Sequence, residues 1–234
     1  MKKSLFILML VISTVTFAQE INKTDANGKR HGNWKGVYEE SNKPRYQGSF
    51  IHGKESGTFT FYKDDEKSTI MATRVFKPDG SSYTTFFDEK GLKVSEGKEV
   101  NRQREGEWKF YHPGGTTLMS VEHYKAGKLN GVRKVYFPDG KINEETTFVN
   151  GIQQGPYKKY TTDGVVLEES IYKNDILQGR AIFHDARGNI AAEGNYDAGV
   201  KTGEWKYYED GKLVKKVDET GKHIKIVHKK DSKN

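Results

Sequence analysis

A glycine followed by a short aromatic-rich stretch returns every 24 or 25 residues along this chain, and that period restricts the fold more than any other feature. GEWKFY at 106–111 reappears as GEWKYY at 203–208, 97 positions later. Aligning on its first residue gives Gly32, Gly57, Ser82, Gly106, Gly131, Gly155, Gly179 and Gly203, in steps of 25, 25, 24, 25, 24, 24 and 24. A fixed period of this length implies an array in which each unit mainly touches its neighbours.

Within a unit, an aromatic residue often stands five positions after the glycine, as at Tyr62, Phe87, Tyr111, Tyr136, Tyr160 and Tyr208. A second glycine follows at Gly91, Gly115, Gly140, Gly164 or Gly211, and then another aromatic at Tyr124, Phe148, Tyr172 or Tyr196. Pro138-Asp139-Gly140 and Pro78-Asp79-Gly80 are turn sequences with a mechanism: proline presets one dihedral angle, aspartate bonds its local backbone, and glycine accepts positive φ. Asn-Gly at 27–28 and 150–151 adds hairpin signals. No segment keeps a 3.6-residue apolar period. The expected fold is all-β: an elongated, twisted, single-layer antiparallel meander of about eight β-hairpin repeats of 24–25 residues.

Three segments of different character divide the chain. Residues 1–18 read as a signal peptide, with Lys2 and Lys3, an apolar run over 5–17, and small Thr16 and Ala18 placed for cleavage after Ala18. The run is too short to span a bilayer, so the reading predicts a periplasmic or secreted protein with no transmembrane span after signal removal. Residues 19–211 form the repeat array, and 212–234 a basic C-terminal hairpin and tail. The chain carries +7, of which the leader lysines contribute two and the segment from Lys212 onward contributes five, leaving the array formally neutral. The basic isoelectric point thus belongs to a tail, and no nucleic-acid partner is expected. Cysteine is absent. A thiol-linked lipid, a disulfide framework, a thiolate metal site and a cysteine nucleophile are thereby excluded.

Strand alternation in GEWKFY places Trp108 and Phe110 on one face and Tyr111 on the other. The first face also takes Trp34, Phe59, Phe61, Phe86, Tyr157, Trp205 and Tyr207, while Arg133 and Ala181 interrupt the stripe. Such a stripe is first of all the spine of a thin sheet. As a partner-binding face its candidates are Trp34, Phe59, Trp108, Phe110, Tyr157, Trp205 and Tyr207. In the tail, Lys215, Lys216, Lys222, Lys225, Lys229 and Lys230 are candidate contacts for an anionic envelope surface, with protection of an open sheet edge as the alternative role.

Chemistry is not indicated. None of the seven histidines pairs with another at helical metal-binding spacing or two apart on a strand, so no metal site is expected, although one assembled across repeats stays open. There is no nucleophile elbow, phosphate loop or dinucleotide fingerprint. Glu144 with Glu145, and Glu168 with Glu169, read as solvated strand positions rather than a glycosidase pair. No catalytic residue and no cofactor are expected.

YKAGKLNGVRKVYFPDG (124–140) and FVNGIQQGPYKKYTTDG (148–164) carry the spacing Y-x-x-G-x-x-x-G-x-x-x-x-Y-x-x-x-G. In this the chain resembles the MORN-repeat family, in the variant form found in many bacterial secreted proteins and in proteins labelled as antitoxins. The resemblance covers about 25–215 and is degraded over 64–104, where Glu99 stands for the tyrosine and Arg102 for the glycine. It implies a scaffold for protein association or membrane attachment. The function expected is an exported, non-enzymatic repeat scaffold with an unknown protein partner at the bacterial envelope. The alternatives are a binder of anionic lipid or glycan, and an antitoxin or immunity-type inhibitor.

Overall fold

A computed structural model describes residues 20–221. They form one open antiparallel sheet of nineteen strands in which pairing follows chain order, the short strands Lys128–Leu129 and Ile176–Leu177 pairing only with the strand before them, so the all-β meander expected from the period is what the chain builds. The unit around Gly106 is representative. Its strand Gln103–Tyr111 pairs backward with Lys93–Val100 and forward with Leu118–Lys125, in registers that set Trp108 opposite Gly97 on one side and Glu122 on the other.

Each unit carries irregularities at fixed places. A register shift falls between the fourth and fifth residues after the register glycine, at Phe61/Tyr62, Phe86/Phe87, Phe110/Tyr111, Val135/Tyr136, Lys159/Tyr160, Phe183/His184 and Tyr207/Tyr208. A second shift recurs where Gln47/Ser49, Gly97/Lys98, Thr146/Phe148 and Glu193/Asn195 meet the next strand. Bulges of this kind increase local twist, which is how a long single layer avoids lying flat.

One edge of the sheet is a row of two-residue turns with left-handed backbone, at His52-Gly53, Asn101-Arg102, Ala126-Gly127, Asn150-Gly151, Asn174-Asp175 and Ala198-Gly199. These mirror-image turns match the twist of the strands they join. Five of them dock onto the preceding unit through the amide of the second turn residue. Gly53, Gly127, Gly151, Asp175 and Gly199 donate to the carbonyls of Arg30, Arg104, Leu129, Gln153 and Leu177 at 2.7–3.0 Å. A side chain completes the staple: Glu105, Asn130, Gln154 and Gln178, each just before a register glycine, accept from the amides of Ala126, Asn150, Asn174 and Ala198 at 2.8–3.2 Å.

A single layer has no second sheet to cover its apolar face, so its core is a line. The buried hydrophobic residues are Phe50, Phe59, Ala72, Trp108, Ala181 and Trp205. Glycine makes this possible at three places. Phe59, Trp108 and Trp205 lie flat on Gly48, Gly97 and Gly194, where an added Cβ would stand 2.4 Å from the ring. Ala181, which reads as a break in the stripe, is fully buried opposite Gly194.

The degraded stretch keeps the register and replaces the spine with polar groups. Ser82 pairs with Glu99 as Gly106 pairs with Tyr124. The Arg74 guanidinium meets Glu99 at 2.9 Å and donates to the Thr84 hydroxyl at 3.0 Å, while Thr84 donates to Glu99 at 2.7 Å. Three positions have changed together, and the triad closes on itself. Arg102, standing for a turn glycine, adopts φ 62° and reaches Glu55 two units earlier, at 3.4 Å. Beyond the expected array boundary at 211, Lys212–Asp218 pairs with Val200–Glu209 and extends the same sheet.

Candidate functional site

The seven aromatic residues proposed from sequence as a partner face do lie along one stripe, but burial divides them. Phe59, Trp108 and Trp205 are at most 2 % exposed and present no surface to a partner, which corrects that reading; Trp34, Phe110, Tyr157 and Tyr207 are half-buried. What closes the tryptophans is a cation four residues earlier. The Arg30 guanidinium lies 4.8 Å from the Trp34 ring, that of Arg104 4.6 Å from Trp108, and the Lys201 ammonium 4.0 Å from Trp205. Each indole nitrogen donates to a backbone carbonyl, of Lys23, Lys98 and Asn195 respectively. Glycine thus supports one face of Trp108 and Trp205 while a cation covers the other. A positive charge over an aromatic face is attracted by the ring quadrupole. The signal was present in sequence as Arg30-x-Gly32-x-Trp34, Arg104-x-Gly106-x-Trp108 and Lys201-x-Gly203-x-Trp205, with Glu55, Leu129, Gln153 and Leu177 at the same place in units lacking tryptophan.

The opposite face is a ladder of lysine, glutamate and tyrosine. Lys134 bonds Glu145 at 3.0 Å and Lys158 bonds Glu169 at 2.9 Å. Tyr111 donates to Glu96, Tyr160 to Glu145 and Tyr208 to Glu193. Burial, followed by the hydrogen bond to Glu145, pushes the Tyr160 hydroxyl up to about 12, and burial followed by Glu96 raises Tyr111 likewise. The Lys134 ammonium, then Tyr160, holds Glu145 below the usual carboxylate range. Glu144 takes Thr146 at 2.9 Å, and Glu168 takes Ser170 at 3.0 Å. Glu145 and Glu169 are therefore engaged in the ladder, while their neighbours Glu144 and Glu168 turn to the aromatic face, where Tyr157 also donates to Glu144; tyrosines of raised pKa on ionised carboxylates serve as hydrogen-bond donors.

Along the stapled edge, apolar side chains stand in solvent. Ile51, Val149, Ile152, Ile176 and Val200 flank the turns and are between 40 and 54 % exposed. Ile152, Ile176 and Val200 occupy the same place in three successive units, 24 residues apart, where the earlier units have Lys54, Gln103 and Lys128. Sequence reasoning passed over this row because each member is a lone aliphatic beside a turn. Its periodicity was the available signal.

Of the basic candidates, Lys215 and Lys216 are exposed on Lys212–Asp218, with Lys215 at 5.9 Å from the Tyr207 ring and Lys216 bonded to Glu204 at 3.3 Å. Lys222, Lys225, Lys229 and Lys230, like residues 1–18, which the sequence reads as a signal peptide, lie outside the described residues. Among the described residues, no helix is long and apolar enough to cross a membrane. Three side chains able to ligate a metal do converge, Asp25, His31 and His52, from two different units. The sequence expectation of no metal-ligating arrangement had left room only for this cross-repeat case.

Residues 104–126, 129–150, 153–174 and 201–219 match the model of the MORN repeat variant. No curated protein matches the chain. Among solved structures the chain is similar to a mutant of S. aureus TarM in complex with fondaparinux, alpha-GlcNAc-glycerol and UDP, at 10 % identity and a TM-score of 0.23, over 52 % of this chain and 19 % of that one. It is also similar to a TcdB2-TccC3-Cdc42 structure, at 9 % identity and a TM-score of 0.21, over 79 % and 12 %. A third, a protein of unknown function from Bacteroides fragilis NCTC 9343, gives 10 % identity and a TM-score of 0.13, over 74 % and 96 %. The chain spans 19 % and 12 % of the first two structures, and likenesses this weak say nothing about activity.

Proposed function

Through residues 104–219 the chain belongs to the MORN repeat variant family, whose repeats generally serve protein or membrane-lipid binding, and on that premise we propose an exported, non-enzymatic scaffold that binds a protein partner along its stapled edge. The observation that carries this reading is the solvent-exposed row Ile152, Ile176 and Val200. Exposed aliphatics in register are unfavourable for a free surface and suit a partner with matching spacing. Two strands per unit place successive members about 10 Å apart. Of the tryptophans only Trp205 shares a unit with a member of the row, Val200, and the charged ladder stays close to neutral because its lysines and glutamates are paired.

The test is a crosslinking pull-down of the protein from its own envelope fraction, with Ile152→Lys, Ile176→Lys and Val200→Lys as the disabled form. Loss of the captured protein with an unchanged circular dichroism spectrum supports the reading. Capture that survives the triple change, together with salt-sensitive binding to anionic liposomes that is lost on Lys215→Glu and Lys216→Glu, transfers the function to the basic C-terminal segment. Export is checked separately by intact mass from the native host, which should begin at Gln19.

A further inference from the structure

We infer that Asp25, His31 and His52 form a binding site for a divalent cation of the zinc class, joining the first turn of the array to its second unit. The repeat itself shows why these histidines are unusual. In four other units the residue before the register glycine is Glu105, Asn130, Gln154 or Gln178, and its side-chain oxygen caps the next turn at 2.8–3.2 Å, while Ser56 and Thr202 hold the place before Gly57 and Gly203. His31 occupies that slot, and its Nδ1 stands 3.5 Å from the His52 amide, the longest contact of the series. An imidazole is thus a poor cap where an amide side chain serves well. His52 in turn is the first turn residue, a place held by asparagine or alanine in the other two-residue turns. Two substitutions at register positions have put two imidazoles side by side, with ring centroids 5.0 Å apart.

Asp25 completes the group. Its Oδ2 lies 2.7 Å from His52 Nδ1, while its Oδ1 accepts the amides of Asn27 and Lys29 at 2.9 and 3.0 Å. One carboxylate oxygen is held by backbone and the other is aimed at the histidine. An aspartate is ionised at neutral pH, so Asp25 is a charged ligand there. The three ligating atoms lie within 4.8 Å of one another. Tetrahedral zinc with bonds near 2.1 Å separates its ligands by about 3.4 Å, so the hydrogen bond opens and the farthest pair closes by rotation of two exposed rings. Two imidazoles and one carboxylate form a borderline donor set that suits zinc over magnesium or calcium, which prefer all-oxygen shells. Exposure of both rings leaves the remaining coordination positions to water.

The experiment is calorimetric titration of the purified protein with zinc chloride near neutral pH, compared with the double variant His31→Asn, His52→Asn. Asparagine in both slots reproduces the Asn130–Asn150 contact already present in the chain, so the staple is kept; an unchanged metal-free melting curve verifies this. His52→Ala, matching Ala126 and Ala198, is the second variant should the double one fold poorly. The expected result is one zinc site in the wild type, weakened roughly tenfold or more by either variant and by Asp25→Asn, and not displaced by magnesium or calcium. Equal zinc affinity in wild type and variants, absence of zinc binding, or a site filled equally by magnesium overturns the inference.

Discussion

The flat seat of Trp108 on Gly97 makes an unusual energetic statement that a double-mutant cycle can read. An alanine Cβ at position 97 would stand 2.4 Å from the indole, against an ordinary contact of 3.4 Å or more, and its three nearest atoms all belong to that ring. The ring cannot retreat freely, because Arg104 lies over its other face at 4.6 Å and its nitrogen is bonded to the Lys98 carbonyl at 2.8 Å. Gly97→Ala should therefore destabilise by about 2 kcal/mol, within the range for overpacking. Trp108→Ala alone should cost about 3 to 5 kcal/mol, because the side chain is fully buried. In the Trp108→Ala background the clash is gone, and alanine is the better strand residue, so Gly97→Ala should turn stabilising by about 0.5 kcal/mol. The coupling is then about 2.5 kcal/mol, near the upper end for residues in direct contact. Urea unfolding of the four proteins, followed by circular dichroism, measures it. Additivity within about 0.5 kcal/mol, the value for independent sites, refutes the account of a ring seated on glycine.

Arg104→Ala should cost about 1 kcal/mol and shift Trp108 emission to the red, since the guanidinium covers Trp108, Phe110 and Tyr124 at 4.6–5.2 Å; an unchanged spectrum counts against the cation as the cover. Glu99→Ala should cost about 3 kcal/mol by leaving Arg74 unpaired beneath the sheet surface, and the combined Arg74→Gly, Thr84→Trp, Glu99→Tyr, which restores the residues of the Trp108 unit's seat, should melt above that single variant. Tyr160 has a folded pKa raised from 10.0 to about 12, so its contribution is complete below pH 10 and is lost as pH rises through 12. Ultraviolet titration near 295 nm should show a group of late-ionising tyrosines, Tyr111 and Tyr157 among them, from which one tyrosine's amplitude moves to lower pH in Glu145→Gln.

The meander was legible because everything that specifies it is local. Glycine at a fixed step, Pro-Asp-Gly and Asn-Gly turns, and strand alternation act over fewer than ten residues, and each points to the same hairpin. Trp108, Phe110 and Tyr111 were assignable to faces for that reason, and Ser82 could be placed in register from its neighbours. The availability of the aromatic rings was not legible. Whether Trp108 faces a partner or a cation depends on where Arg104 sits relative to it after a left-handed glycine at 106, φ 68°. Arg133 presents the reverse case: a break in the stripe by residue type, it is answered across the strands by Glu122 at 3.4 Å.

What the sequence by itself determined is the period, the hairpins and the single layer, since these follow from backbone preferences repeated until no other fold accommodates them. Only the tertiary structure decided which side chains meet between units. The bulges after the fourth residue of each unit and at Gly97, Thr146 and Glu193 set the stagger of successive hairpins. That stagger brings Glu105 to Ala126, and by the same step His31 to His52 beside Asp25. The offset between units is a sum of small twists and register shifts, and a one-residue change in it would move every such pair to the other face of the sheet.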